Sequence, residues 1–153
     1  MKLHDSSSVS GNDALWGGGG IRVEYGTVSM TGTSRVARNS VDHFGGGISG
    51  YAGEVLLRNA ASVRHNTARL GAGINDAAGA ISLAGSSSIV TNTARKGGGI
   101  YTQAGHVTMR NRSSVSENLA RRRGGGIYNS DGVVRLRDHA SVTRNIPNDC
   151  TGC

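Results

Sequence analysis

The sequence predicts an all-β solenoid of about six stacked coils, each of 26–27 residues with three short strands, and three observations predict it. Asparagine recurs at Asn12, Asn39, Asn66, Asn92, Asn118 and Asn145, with spacings of 27, 27, 26, 26 and 27 residues. Three positions before each stands Val9, Val36, Val63, Ile89, Val115 or Val142. A glycine-rich run ends at Ile21, Ile48, Ile74, Ile100 and Ile127, always 18 residues before an asparagine of the series. All the length variation therefore falls between an asparagine and the next isoleucine, where a loop absorbs it.

Each coil contributes the same elements in the same order. The fifth copy runs Gly97-Gly98-Gly99-Ile100-Tyr101, then Gly105-His106-Val107-Thr108-Met109, then Ser113-Ser114-Val115-Ser116-Glu117-Asn118. Alternation with period two puts Val107 and Met109 on one side of the middle strand and His106 and Thr108 on the other. Val28 and Met30, Val55 and Leu57, Ile81 and Leu83, and Val134 and Leu136 repeat that pair. One copy cannot bury such a face alone, whereas stacked copies form a continuous aliphatic column. Glycine at turns tolerates positive φ and lets neighbouring backbones approach. The asparagine column is expected at a corner, where each amide satisfies groups on the stacked neighbours, making it a structural ladder rather than a ligand site.

Composition agrees with a narrow core. The chain of 153 residues holds 25 glycines and one proline, and its aromatic content of 4% excludes a core built on large rings. A formal charge of +7, almost all arginine, makes an anionic partner feasible without specifying the fold. No stretch approaches the ~18 apolar residues of a membrane span. Met1-Lys2-Leu3-His4 has no apolar run behind its lysine, so no signal peptide is expected in this chain. Met1 and Leu3 match Val28 and Met30, so the chain starts inside a coil. The expectation is one repeat domain over residues 1–153, the C-terminal piece of a longer helix, with 146–153 as a terminal tail or cap.

The Gly-Gly-aliphatic motif at Gly19-Gly20-Ile21, Gly46-Gly47-Ile48, Gly98-Gly99-Ile100 and Gly125-Gly126-Ile127, paired with Val9-x-x-Asn12 through Val142-x-x-Asn145, resembles the pectin-lyase-like β-helix superfamily. Within it the repeats are most similar to those of the polymorphic outer membrane protein type. Two departures are Ala72-Gly73-Ile74, and valine or isoleucine where that family often has phenylalanine. The resemblance implies a right-handed parallel β-helix and an extracellular or cell-surface location. It also implies a non-enzymatic structural or adhesin-like role, with a polysaccharide lyase or hydrolase acting on an acidic glycan as the alternative.

Catalytic residues are not apparent. Asp76 and Asp131 are expected in the turns before Gly79 and Gly132, two coils and about 10 Å apart, too far for a tight carboxylate pair. His43, His65, His106 and His139 fall at different positions in their coils, so neither a triad nor a metal site is expected, and no cofactor is implied. Cys150 and Cys153 suit a local disulfide, a redox pair or half a zinc site. A terminal clasp is preferred, because a second cysteine pair and a βαβ context are both missing.

One binding face is suggested by charge. The outward columns Lys2, Ser29, Leu56, Ser82, Thr108, Arg135 and His4, Thr31, Arg58, Ala84, Arg110, Arg137 bring Arg110, Arg135 and Arg137 onto adjacent rungs, with Arg58 two rungs from Arg110. These arginines either keep the surface soluble or grip an acidic polysaccharide such as a host or cell-surface glycan. Nucleic acid is expected to bind non-specifically at most. The mixed outward column disfavours ice binding, and the open sheet edges at the ends of a β-helix make end-to-end or edge self-association feasible.

Overall fold

The computed structural model describes all 153 residues as a right-handed parallel β-solenoid of about six turns. Three six-stranded parallel sheets wrap one core. Sheet 1 stacks Lys2–Leu3, Thr27–Met30, Glu54–Leu57, Ala80–Leu83, His106–Met109 and Val133–Leu136. Sheet 2 stacks Ser8–Ser10, Arg35–Ala37, Ser62–Arg64, Ser88–Val90, Ser114–Ser116 and Ser141–Thr143. Sheet 3 stacks Ile21–Val23, Ile48–Gly50, Ile74–Asp76, Ile100–Thr102 and Ile127–Asn129, and Cys150–Thr151 pairs on its last strand.

Registers between coils follow the sequence repeat. Val63 lies opposite Val36 and Ile89, and Ile74 lies opposite Ile48 and Ile100, so like stacks on like. The interior is a set of aliphatic columns, including Met30, Leu57, Leu83 and Met109 from sheet 1 and the isoleucines of sheet 3. Each added coil thus buries about four aliphatic side chains, at roughly 1.5–3 kcal/mol apiece before entropy is subtracted.

The repeat supplies more than three strands in places. Between sheets 2 and 3, Asp13–Ala14 pairs with Ser40–Val41, and Thr93–Lys96 pairs with Leu119–Arg123. The fifth loop is one residue longer than the fourth, and the surplus emerges as a bulge: Ala94 faces Ala120, but Lys96 faces Arg123. Small buried residues, Val41, Ala68, Ala72 and Ala94, pin these loops down. Ala72, the departure from Gly-Gly, fills that satellite core.

The asparagines form the ladder at the corner after sheet 2. Each backbone N–H and Nδ2–H donates to the Oδ1 of the next asparagine, as from Asn66 to Asn92 at 2.9 and 3.0 Å. The same Nδ2 also donates backward, from Asn66 to the Val36 carbonyl at 3.2 Å and from Asn92 to the Val63 carbonyl at 3.1 Å. A central asparagine therefore ties three consecutive coils. At the far end Asp149 stands in for a further rung, its Oδ1 accepting both donors of Asn145 at 2.9 Å.

The corner requires a left-handed residue just before each asparagine. Arg38, His65, Thr91, Glu117 and Arg144 adopt φ between 54° and 58° there. This conformation costs a non-glycine residue about 1–2 kcal/mol and persists because the buried ladder over-determines it. The glycine motif belongs to the same contact. A Cβ added to Gly47 would lie 2.9 Å from Val63 Cγ1 and 3.0 Å from Asn66 Nδ2, so the Gly-Gly-Ile and Val-x-x-Asn motifs are two sides of one packed joint.

Sheet 3 ends in a second inward column, Gly50, Asp76, Thr102 and Asn129. Its side chains cap the following turn: Gly79 N–H donates to Asp76 Oδ1, Gly105 N–H to Thr102 Oγ1 and Gly132 N–H to Asn129 Oδ1. The placement of Asp76 in a turn alongside Asp131 is thus corrected. Asp76 is a fully buried strand residue whose counterpart is Asn129, whereas Asp131 is exposed. The sequence misleads here because the turn from Asp76 to Gly79 and the step from Asp131 to Gly132 differ in length. Burial, opposed by hydrogen bonds from Gly79 and Ala78, raises the Asp76 carboxyl above its ordinary 3.8.

Two outcomes follow from these columns. Asn92→Ala strands the N–H of Asn66 and should destabilise the fold by about 3 kcal/mol, whereas Asn12→Ala, at the exposed first rung, should cost about 1 kcal/mol or less. Denaturant titration of both variants checks this, and equal losses would contradict a buried ladder. Because the folded state holds the Asp76 proton more tightly than the unfolded chain, its stability falls as pH rises from 3.8 through the raised folded value. Asp76→Asn, which copies Asn129, should therefore be more stable than the parent at pH 7, with the gain fading as pH falls toward 3.8. A gain independent of pH would show that ionisation is not its source.

Candidate functional site

The predicted arginine face lies outside sheet 1. Thr108 pairs with Arg135, while Arg58, Arg110 and Arg137 sit one residue beyond their strands. All four arginines are exposed, and the structure brings Arg110, Arg135 and Arg137 onto neighbouring coils with Ala84 between Arg58 and Arg110. None of them lines a concave surface. The histidines stay dispersed; His4 bonds Thr31 across adjacent coils at 2.9 Å, and His65 shares its corner column with Glu117. Cys150 and Cys153 are joined in a disulfide. No group of three or more His, Cys, Asp or Glu side chains could hold a metal ion.

The main concavity is on sheet 3. Its floor is the outward column Arg22, Ser49, Asn75 and Tyr101, one residue per coil. Four rungs at about 4.8 Å give a floor about 14 Å long, running along the solenoid axis. One wall is Trp16, Phe44 and Leu70 from the loop before the glycine run. The other is Tyr25, Tyr51 and Gln103 from the turn after the strand. The cleft encloses about 770 Å³, within the range of built ligand sites.

Its lining is unusual for this chain. The sequence holds one tryptophan, four tyrosines and one phenylalanine, and Trp16, Tyr25, Phe44, Tyr51 and Tyr101 all meet here. Trp16 and Tyr25 are 67% and 73% exposed, too open for a core role. The rings are nonetheless held: Trp16 stacks on His43 at 4.7 Å, Tyr25 meets Tyr51 edge-on at 6.2 Å, and Tyr101 stacks on Tyr128 at 5.1 Å. The polar groups are the Asn75 and Gln103 amides, the Ser49 hydroxyl and the Arg22–Glu24 ion pair at 2.9 Å. Glu24 is the one carboxylate in the lining, so the paired carboxylates of glycoside hydrolysis are missing there.

Sequence reasoning missed this cleft although a signal was present. Every aromatic residue stands within five positions of an isoleucine of the Gly-Gly-Ile series. Counted from that isoleucine, Trp16 and Phe44 fall five and four residues before it and Tyr25, Tyr51 and Tyr101 four, three and one after it, so all five flank or occupy one strand of the coil. Comparison of the chain with protein-family profiles, with curated proteins and with solved structures finds no match.

Proposed function

We propose that this protein is a non-enzymatic, carbohydrate-binding structural module of the adhesin or lectin kind, displayed outside the cell. The observation that carries the reading is the aromatic cleft on sheet 3. Sugar rings offer apolar C–H faces and a rim of hydroxyls, and such a ligand suits exposed, mutually braced aromatic rings beside amides and a hydroxyl. The rigid stack positions those groups at fixed intervals before any ligand arrives, which limits the ordering cost of binding.

The extracellular location is part of the proposal. It draws on the resemblance to polymorphic outer membrane protein type repeats and on the Cys150–Cys153 disulfide, which suits an oxidising compartment. Catalysis on an acidic glycan is less well supported, because the cleft offers a single carboxylate already engaged by Arg22.

Trp16 is the sole tryptophan, so its fluorescence reports directly on the cleft. Titration with a panel of neutral and acidic oligosaccharides should give a saturable change for at least one of them. Tyr51→Ala should weaken that ligand by about tenfold, the loss of one well-placed aromatic contact. A panel without any Trp16 response, or a Tyr51→Ala variant binding as tightly as the parent, would contradict the reading.

A further inference from the structure

Beside the aromatic wall, the loops between sheets 2 and 3 carry a ledge of cations on three consecutive coils: Arg69, then Arg95 and Lys96, then Arg121, Arg122 and Arg123. Each loop repeats one device. A buried alanine (Ala68, Ala94, Ala120) anchors the backbone, and the next residue is an arginine facing out. The bulge in the fifth loop places Arg121 and Arg122 together opposite Arg95. Two shallow concavities, of about 380 and 620 Å³, share Arg69, Arg95 and Arg122 in their lining, and Asp42 is the one acidic residue in either.

The protein leaves these cations without carboxylate partners. Its ion pairs are Arg22–Glu24 and Arg144–Glu117, both elsewhere. Like charges stacked on adjacent strands repel one another, so the ledge opposes folding unless anions occupy it. Guanidinium forks on successive coils repeat at about 4.8 Å and suit sulfate or carboxylate oxygens, which they can engage bidentately.

The ledge adjoins the aromatic cleft, because Phe44 and Leu70 line both. We propose that it is the anionic subsite of that cleft, and that the ligand is an acidic polysaccharide. Uncharged parts of its sugar rings lie on the aromatic side, and its sulfate or carboxylate groups reach Arg69, Arg95 and Arg122. This inference rests on the carbohydrate reading above and adds the ligand's charge. A nucleic acid fits less well. It carries a phosphate at every residue, whereas the unpaired cations lie along one edge and the arginine of the aromatic cleft is paired with Glu24. A strand whose bases lay on the cleft rings would therefore leave most of its phosphates without a cation.

The test compares dextran, dextran sulfate and single-stranded oligothymidylate on three proteins: the parent, the ledge variant Arg69→Gln/Arg95→Gln/Arg122→Gln, and a charge-matched control, Arg110→Gln/Arg135→Gln/Arg137→Gln. Circular dichroism verifies that all three are folded. The ledge variant should lose about tenfold or more of its dextran sulfate affinity, with the control near the parent. Equal losses in both variants would place the effect in net charge or on sheet 1 and overturn the subsite. Oligothymidylate binding as tightly as dextran sulfate, and lost in the ledge variant, would overturn the polysaccharide assignment. Dextran sulfate binding that needs the ledge but leaves Trp16 unresponsive to every oligosaccharide would refute the aromatic cleft and, with it, the assignment of the ledge as that cleft's subsite, leaving an anion site on the ledge alone. An unchanged ledge variant beside a responsive Trp16 would do the reverse.

Discussion

The fold depends on one joint, in which an asparagine side chain links three coils while a glycine backbone presses against it. The Oδ1 of Asn92 receives the N–H and Nδ2–H of Asn66, and its own Nδ2 reaches back to the Val63 carbonyl and on to Asn118. Those groups lie at a corner inside the solenoid, where unmade hydrogen bonds would each cost about 1–3 kcal/mol. Packing against the same joint leaves no room for a Cβ on Gly99, which would lie 2.8 Å from Val115 Cγ1 and 3.0 Å from Asn118 Nδ2. The aliphatic columns drive collapse, but aliphatic burial is indifferent to register. The ladder fixes which residue lies over which.

Fixed register has a consequence on the outside. Whatever the sequence places at one position of the repeat becomes a straight row at about 4.8 Å spacing. Arg22, Ser49, Asn75 and Tyr101 become the floor of a cleft in this way, and Arg69 and Arg95 become part of a ledge. The core therefore constrains the four aliphatic positions, the asparagine and the paired glycines of each coil, and leaves most of the remainder free to carry recognition. Here the freed positions on one side of the solenoid collect five of the six aromatic rings, and those on the next edge collect cations.

The constrained positions were legible in the sequence because their physical causes recur in every coil. Val-x-x-Asn and Gly-Gly-Ile repeat since each copy must rebuild the same joint, and the middle-strand pairs repeat since each must fill the same layer. The site was not legible in the same way. Trp16 and Phe44 precede their isoleucines by five and four residues, and Tyr25 and Tyr51 follow theirs by four and three, so within coils of equal length these four rings share no repeat position and form no column. Arg110, Arg135 and Arg137, by contrast, align without gaps in the repeat but lie on an open face. Asp149 as the last rung was hidden for a further reason: an aspartate four residues after Asn145 breaks the period, yet supplies the same acceptor oxygen.

Native-state hydrogen exchange of the ladder amides tests the central claim most directly. If the joint holds the fold together, the backbone N–H groups of Asn39, Asn66, Asn92 and Asn118 open only when the whole solenoid unfolds. Their exchange free energies should then match one another and the global stability, and fall with denaturant at the global slope, while that of Asn12 is lower. Exchange of Asn66 and Asn92 through small local fluctuations, at rates like those of exposed turn amides, would contradict the account.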